Sequence, residues 1–260
     1  MNYTGGKARQ GPVIAQKLLM AADNLLRRYP HVWYFEPFFG AGGVARHVAP
    51  TLAAAGVRCH FSDKHPAVVS MWNAALRGEW LPPDRYITEE EYRALKAAKD
   101  TSDPMNAWAG FICTFSATYM TTFADRTNRP KAERRQATQR IAFLDKLEAL
   151  KQATDRVKHV DFENVFSYGL QTSSRPSVIY LDPPYANSSP RAYGVGEFDS
   201  DQFWQQAQVL AEKPWNRLYV TEYEAPPGWD VVHDFGQTNA FRAGGEEKRE
   251  KSERIWEWRP

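Results

Sequence analysis

The stretch FEPFFGAGG at positions 35–43 decides the fold. It continues from an apolar segment at 32–35 that predicts a short buried strand, and it leads into a segment at 44–52 with the periodicity of a helix. Glycines at such a turn let a ligand approach the backbone where a Cβ would clash. A second strand is predicted at 57–61. Strand, turn, helix and strand in this order form a βαβ unit, which implies a parallel sheet covered by helices.

The α/β pattern continues on both sides of a charge-rich middle. The further predicted elements are helices at 12–28, 66–76 and 201–211, strands at 177–181 and 217–221, and weaker sheet-edge strands at 229–235 and 255–258. We therefore predict an α/β domain made of residues 1–78 and 160–260, with a mostly parallel sheet and helices on both faces.

Residues 79–159 are predicted to form a mainly helical insert. They are rich in charge and show little strand signal until after Asp161. Helices are predicted at 89–99 and 131–152. The side of the second helix that is predicted to be buried carries Ile141, Leu144, Leu147 and Leu150.

Charge is distributed unevenly along the chain. The segment 126–158 holds ten Lys or Arg against four Asp or Glu, which makes it +6, so the remainder is −4 given the net charge of +2. Such asymmetry indicates a local contact with a polyanion, and a solvated helix face explains it equally well. The candidate contacts are Arg126, Arg129, Lys131, Arg134 and Arg135.

A carboxylate follows the second predicted strand. Asp63 lies twenty residues past Gly43, where it could accept hydrogen bonds from both hydroxyls of a ribose. Together with the glycine turn this predicts an adenosine-containing cofactor without saying which one. The pattern Gly40-x-Gly42-x-x-Ala45 also fits the alanine-ended dinucleotide fingerprint. A tight turn followed by a surface aspartate is the alternative.

The segment Asp182-Pro183-Pro184-Tyr185 directly follows the predicted strand at 177–181. The exocyclic nitrogen of adenine is a poor nucleophile because its lone pair is delocalised into the ring. Two acceptors on its N–H bonds would favour a tetrahedral nitrogen with a directed lone pair: the Asp182 carboxylate and a backbone carbonyl, that of Pro183. Proline holds such a loop rigid, and Tyr185 offers a face for an extruded base. A proline turn after a strand is the alternative.

Composition excludes several classes of protein. The 35 aromatic residues argue against disorder, and no apolar run is long enough to span a membrane. The start lacks the features of a signal peptide. The two cysteines and six histidines show no metal-binding spacing. We therefore expect a cytoplasmic protein that needs no metal and contacts no membrane, as a monomer or weak dimer.

Three motifs together resemble the Dam-type DNA adenine methylases. They are YTGGK at 3–7, EPFFGAG at 36–42 and DPPY at 182–185, in the order and spacing of the group that places the recognition region between the cofactor and catalytic motifs. The resemblance implies a Rossmann-like methyltransferase sheet with the insert as target-recognition domain. It also implies S-adenosylmethionine as cofactor and site-specific methylation of N6 of an adenine flipped out of double-stranded DNA.

The resemblance also implies roles for individual residues. Tyr3 and Lys7 would lie over the methionine and sugar end of the cofactor, with Lys7 near its carboxylate. Asp63 would hold the ribose. The residues expected along the cofactor loop are Phe39, Gly40 and Gly42, and those expected at the cofactor adenine are Asp161 and Phe162. A buried Phe with a capping Asp is the alternative for the last pair.

The insert departs from larger family members, which often carry an Arg-Phe-Asn signature. Here residues 111–123 instead alternate Ser/Thr hydroxyls with aromatic rings, which could contact phosphate and displaced bases or simply pack together. The target sequence therefore cannot be carried over. The alternative functions are an NAD-dependent oxidoreductase using the GxGxxA turn, an RNA adenine methyltransferase and a non-catalytic DNA-binding protein.

Overall fold

The computed structural model describes residues 6–115, 118–160, 175–185, 198–237 and 252–259. Its strands are β1 (Trp33–Glu36), β2 (Arg58–Asp63), β3 (Lys158–His159), β4 (Ser177–Leu181), β5 (Asn216–Glu222), β6 (Trp229–Gln237) and β7 (Ser252–Trp258). Its helices are α1 (Gly11–Leu26), α2 (Ala45–Ala54), α3 (Pro66–Leu76), α4 (Glu89–Ala98), α5 (Pro104–Ile112), α6 (Arg129–Lys151) and α7 (Ser200–Ala211). None of the helices in these ranges is both long and apolar enough to cross a membrane.

The strands form one sheet in the order β3-β2-β1-β4-β5-β7-β6. Strands β3, β2, β1, β4 and β5 run parallel, and the hairpin β6–β7 is added antiparallel. Trp33 at the start of β1 pairs with Arg58 on one side and Ser177 on the other. The carboxyl ends of β1, β2 and β4 therefore share one edge, where ligands of such sheets bind.

Helices cover both faces of the sheet, as predicted. One face carries Tyr34, Phe61, Tyr180 and Ile255 and packs against the group α1, α2 and α3. The other carries residues such as Ile179 and packs against α7. Side chains alternate between faces along a strand. The predicted Rossmann-like α/β fold is thus confirmed.

Helices α4, α5 and α6 form a further layer over α2 and α3. Phe143 of α6 is fully buried and stacks on Trp72 of α3, with ring centroids 4.3 Å apart. Trp108 of α5 adds an edge contact to Phe143. These side chains belong to the same apolar cluster as the residues of α1 to α3. The predicted boundaries of the insert, at 79 and 159, stay a prediction.

One predicted core position on α6 is wrong. Ile141 is 67% exposed, whereas Phe143 is buried. The buried face of α6 is defined by Gln136, Phe143, Leu147 and others at helical spacing. Five residues after Gln136, Ile141 lies about 140° around the helix and points to solvent.

Two elements, α5 and β3, were not predicted from the sequence, and β7 lies at a different place in the sheet from the one predicted. Helix α5 begins at Pro104, and the Asp103 carboxylate caps it by accepting from the Met105 N–H, a start signal visible in the sequence. Strand β3 has only two residues and precedes Asp161, so it offers too little pattern to detect. The predicted edge strand β7 instead lies between β5 and β6.

We expect Phe143→Ala to lower the free energy of unfolding by about 3–5 kcal/mol, because it opens a cavity between α3 and α6. Ile141→Ala on the same helix should change it by less than about 0.5 kcal/mol, since that side chain is exposed. Urea unfolding of both variants measures the difference. Equal effects would contradict this packing of α6.

Candidate active site

The turn after β1 has a backbone that only glycine adopts easily. Gly40 has φ +50° and Gly42 has φ +62°, both in the left-handed region. A Cβ on Gly42 would lie 3.1 Å from the Phe39 ring. The Phe39 ring itself packs beneath the turn, against Phe61 and Trp72, and is 2% exposed. Phe39 thus lies in the predicted cofactor loop, but its side chain supports the loop from the core.

Asp63 at the end of β2 fixes this loop. Its carboxylate accepts the Gly40 N–H at 2.7 Å and the His65 N–H at 2.8 Å. Burial raises the pKa of Asp63 to about 6, and the two N–H donors offset part of that rise. Both oxygens are thus already engaged with backbone. Contact of Asp63 with a ribose stays a prediction, and it would have to use the remaining lone pairs.

Two carbonyls of the loop are held by side chains from the helical layer. The Trp72 indole donates to the Gly40 carbonyl at 3.2 Å, and the Lys146 ammonium donates to the Ala41 carbonyl at 2.9 Å. Lys146 belongs to α6 and is 3% exposed. Burial lowers its pKa to about 8. Lys146 was not predicted from the sequence, because nothing in the sequence distinguishes a buried lysine from the exposed basic residues of the same helix.

A second cluster gathers around the Lys7 ammonium, which lies 2.7 Å from Asp182 Oδ1 and 2.7 Å from the Tyr185 hydroxyl. Its third neighbour, 3.1 Å away, is Glu253 Oε1. Lys7 is 4% exposed and Glu253 is 5% exposed. The structure therefore brings together Lys7, Asp182 and Tyr185 from the sequence prediction and adds Glu253.

Strand β5 also supports the Asp182 carboxylate. The buried Thr221 hydroxyl donates to Asp182 Oδ1 at 2.7 Å and lies 3.1 Å from the Tyr180 hydroxyl. Lys7 and Thr221 thus share one oxygen of Asp182. Among the residues that the structure describes, none donates a hydrogen bond to the other oxygen, Oδ2. That oxygen is the one best placed to accept an incoming donor.

Burial and charge act in opposite directions within this cluster. Burial raises the pKa of Asp182, and the Lys7 ammonium offsets part of that rise. Burial alone would lower the pKa of Lys7, but the carboxylates of Asp182 and Glu253 more than compensate and raise it. Burial, with the two nearby carboxylates, raises the pKa of Tyr185 well above its ordinary value. Lys7 therefore stays charged at neutral pH.

Glu36 is the last residue of β1, and its carboxyl is near enough to Asp182 for the two charges to interact. It is 2% exposed and accepts the Tyr34 hydroxyl at 2.7 Å. Burial raises its pKa to about 8, the Tyr34 hydrogen bond opposes the rise, and the charge of Asp182 adds to it. This carboxyl therefore keeps its proton to a higher pH than an ordinary glutamate does.

The glycine loop after β1 and the cluster around Lys7 come together just before α1. The backbone of Lys7 lies close to Gly43, since a Cβ on Gly43 would be only 3.1 Å from the Lys7 backbone nitrogen. A Cβ on Gly11 would be 2.7 Å from the Gly43 carbonyl oxygen, so α1 begins directly on the glycine loop. The segment that carries Lys7 thus joins the loop of Gly40 to the carboxylate of Asp182. Tyr3, Asp161 and Phe162 lie outside the described residues.

Most of the predicted DNA-binding residues have acidic partners within the chain. Arg126 pairs with Glu89, Arg129 with Glu133, and both Lys131 and Arg135 with Asp125. Arg134 is exposed and forms no ion pair within the described part of the chain. Four of the five candidate residues are therefore paired with acids locally, and Arg134 is the one of the five that stays available.

The segment 111–123 is mostly packed. Phe111, Cys113 and Phe123 are buried, and the Tyr119 ring lies 4.6 Å from that of His65. Phe115, by contrast, is 69% exposed. Packing, one of the two alternatives open from the sequence, thus describes most of this segment.

Comparison with known proteins gives one family. The model for the D12 class N6 adenine-specific DNA methyltransferases matches residues 3–225. No curated protein matches the chain. Two solved structures of the rRNA methyltransferase aviRa from Streptomyces viridochromogenes are 15% and 14% identical, with TM-scores of 0.34 and 0.32. Each alignment covers 94% of this chain and 84% of the other, and similarity this weak carries no argument.

We expect Glu36→Gln to remove a pH dependence of stability. The pKa of this carboxyl is about 8 in the fold against an ordinary 4.5, so its stabilising protonated form is complete below pH 4.5 and lost as the pH rises through about 8. Gln mimics the protonated acid. Urea unfolding between pH 5 and 8.5 should show wild type losing stability relative to the variant, by up to about 1.4 kcal/mol per pH unit. A constant difference would contradict the buried, protonated Glu36.

Proposed function

This chain belongs to the D12 class of N6 adenine-specific DNA methyltransferases, and we propose that it methylates an adenine flipped out of duplex DNA at a specific site, with S-adenosylmethionine as donor. The observation that carries the proposal is the position of Asp182. It follows β4 at the carboxyl edge of the sheet, and Lys7 connects it to the glycine loop after β1. Methyl donor and acceptor can therefore meet at one place.

The residues at this edge fit S-adenosylmethionine. The carboxylates of Asp182 and Glu253 pair with the Lys7 ammonium, and the carboxylate of Asp63 lies at the same edge on the Gly40 N–H. Three carboxylates and one ammonium leave an excess of negative charge, which suits a sulfonium. When bound, the cofactor supplies an electrophilic methyl carbon. The residues that we propose hold it are Tyr3, Lys7, Phe39, Gly40, Gly42, Asp63, Asp161 and Phe162.

Asp182 and the carbonyl of Pro183 would hold the two N–H bonds of the adenine amino group. Two fixed acceptors favour a tetrahedral nitrogen whose lone pair points at the methyl carbon. Asp182 also stabilises the positive charge that develops on that nitrogen, and the surplus proton then leaves without a dedicated base. Pro184 keeps the loop rigid. These contacts act on the transition state more than on the bound substrate.

Tyr185 would stack on the flipped base. Its hydroxyl is tied to Lys7 and Glu253, and its ring meets that of Tyr223 edge-on, with centroids 4.7 Å apart. Both constraints hold the ring in one orientation. A fixed aromatic face recovers part of the stacking energy that the base loses on leaving the duplex.

The family decides between the alternatives from the sequence. The match supports an adenine-specific DNA methyltransferase over an NAD-dependent oxidoreductase and over an RNA adenine methyltransferase. We propose that the insert, residues 79–159, is the target-recognition domain. Its exposed Arg134 and Phe115 are available for phosphate and base contacts. A monomeric or weakly dimeric cytoplasmic enzyme stays a prediction.

We expect Asp182→Ala to lower kcat for methyl transfer by at least about a hundredfold, because the acceptor of the amino group is lost. The dissociation constant for S-adenosylmethionine should change by less than about threefold, since Glu253 still pairs with Lys7. Calorimetry and transfer of labelled methyl to unmethylated plasmid DNA measure the two quantities. Asp230→Ala, an exposed position on β6, is the control. Activity retained by Asp182→Ala would remove the mechanism.

We expect Arg134→Ala to reduce the slope of log affinity for DNA against log salt concentration by about 1, as one phosphate contact is lost. Fluorescence anisotropy of a labelled duplex at several salt concentrations measures the slope. Arg27→Ala, directly after α1, where Arg27 pairs with Asp23, is the matched control and should leave the slope unchanged. An identical slope for wild type and Arg134→Ala would place the DNA elsewhere.

A further inference from the structure

Glu253 enters the active site from a part of the chain that the family match does not cover. The match ends at residue 225, and Glu253 is the second residue of β7. Side chains alternate along this strand, so Glu253 shares the face of the buried Ile255, which packs with α1. Its side chain is therefore directed at the segment that carries Lys7.

Among the described residues, the Glu253 carboxylate bonds two partners of the site around Asp182 and one residue at the start of α1. Oε1 lies 3.1 Å from the Lys7 ammonium and accepts the Tyr185 hydroxyl. Oε2 accepts from the Gln10 side chain at 3.0 Å. Gln10 directly precedes α1, so the carboxylate ties β7 to the start of α1 and to the loop after β4.

A substrate amino group that bonds Oδ2 of Asp182 would share this carboxylate with Lys7. The ammonium already lies on Oδ1 of Asp182, beside the Thr221 hydroxyl. A buried ammonium that lost its single carboxylate partner would leave an uncompensated charge, which is strongly unfavourable. With Glu253 as a second partner, Lys7 stays paired while Asp182 shares its charge with the amino group.

We propose that Glu253 is a positioning residue that retains the Lys7 ammonium and orients Tyr185 while Asp182 accepts the adenine amino group. The role rests on the proposed function. It uses the two-carboxylate arrangement around Lys7, which one carboxylate could not provide. Through Lys7 and Tyr185, strand β7 would therefore contribute to the reaction.

The charged and titratable groups around Asp182 determine what removal of Glu253 does. They are Lys7 before α1, Glu36 on β1, Tyr180 on β4, Tyr185 after it and Glu253 on β7. Of these, Lys7 lowers the pKa of Asp182, and the charge of Glu253 raises it. Glu253→Gln removes one of the two carboxylate charges paired with the ammonium, so the pKa of Asp182 should fall and its ion pair with Lys7 should tighten.

The test uses the full-length protein, labelled S-adenosylmethionine and unmethylated plasmid DNA, with kcat and KM measured from pH 5.5 to 8.5. Glu253→Gln should lower kcat roughly tenfold or more, with KM for the cofactor within about threefold of wild type. The acid limb of kcat should move to lower pH. Glu257→Gln is the matched control: it is a carboxyl on the same strand and face that bonds a different tyrosine, Tyr219, and it should change neither.

A second pair of variants separates this role from simple loss of folding. In a Lys7→Met background, Glu253→Gln should lower kcat by much less than it does in the wild type, because only its contact with Tyr185 is left to lose. Additive losses in the double variant, or an unmoved acid limb, would overturn the role. So would equal losses in Glu257→Gln.

Wild-type activity distinguishes this proposal from the proposed function. A wild-type protein that methylates while Glu253→Gln matches it in kcat and pH profile overturns the role of Glu253 alone. A wild-type protein that transfers no methyl group to DNA overturns the proposed function, and this role with it.

Discussion

The ammonium of Lys7 is held between the carboxylates of Asp182 and Glu253, and the architecture of the site depends on that arrangement. Burying a cation costs several kcal/mol unless it is paired and hydrogen-bonded. The chain meets that requirement with residues far apart in sequence, so the start of α1, the loop after β4 and strand β7 must converge. The residues of the site can therefore come together only when the sheet is correctly folded.

The sheet supplies the convergence through two simple rules. Parallel strands end at one edge, which collects the glycine loop, Asp63 and Asp182. Alternation along each strand then directs Glu36, Tyr180, Thr221 and Glu253 to the face covered by α1. The helical layer joins the same edge from outside, because Trp72 and Lys146 hold two successive carbonyls of the loop. The proposed DNA contacts near the start of α6 and the proposed cofactor loop are thus linked through one helix.

Much of this could be predicted from the sequence, because the deciding signals are local. The glycine turn, the strand before Asp182 and the helical periodicities each span a few residues, and element bounds agree with the structure to within a few positions. The partners of charged residues could not be predicted, since these depend on tertiary contacts. Lys146 is buried in a helix that looks solvated, the basic residues near its start are mostly neutralised, and Ile141 faces solvent. Glu253 was hidden in a charged segment without a motif.

The central claim is that this site delivers a methyl group to the amino nitrogen of adenine and to no other base. The most direct test is to incubate the purified protein with unmethylated DNA and S-adenosylmethionine, digest the DNA to nucleosides and quantify the methylated ones by mass spectrometry. The account predicts N6-methyladenine as the sole product. Methylated cytosine, or cofactor binding without any methylated nucleoside, would contradict it.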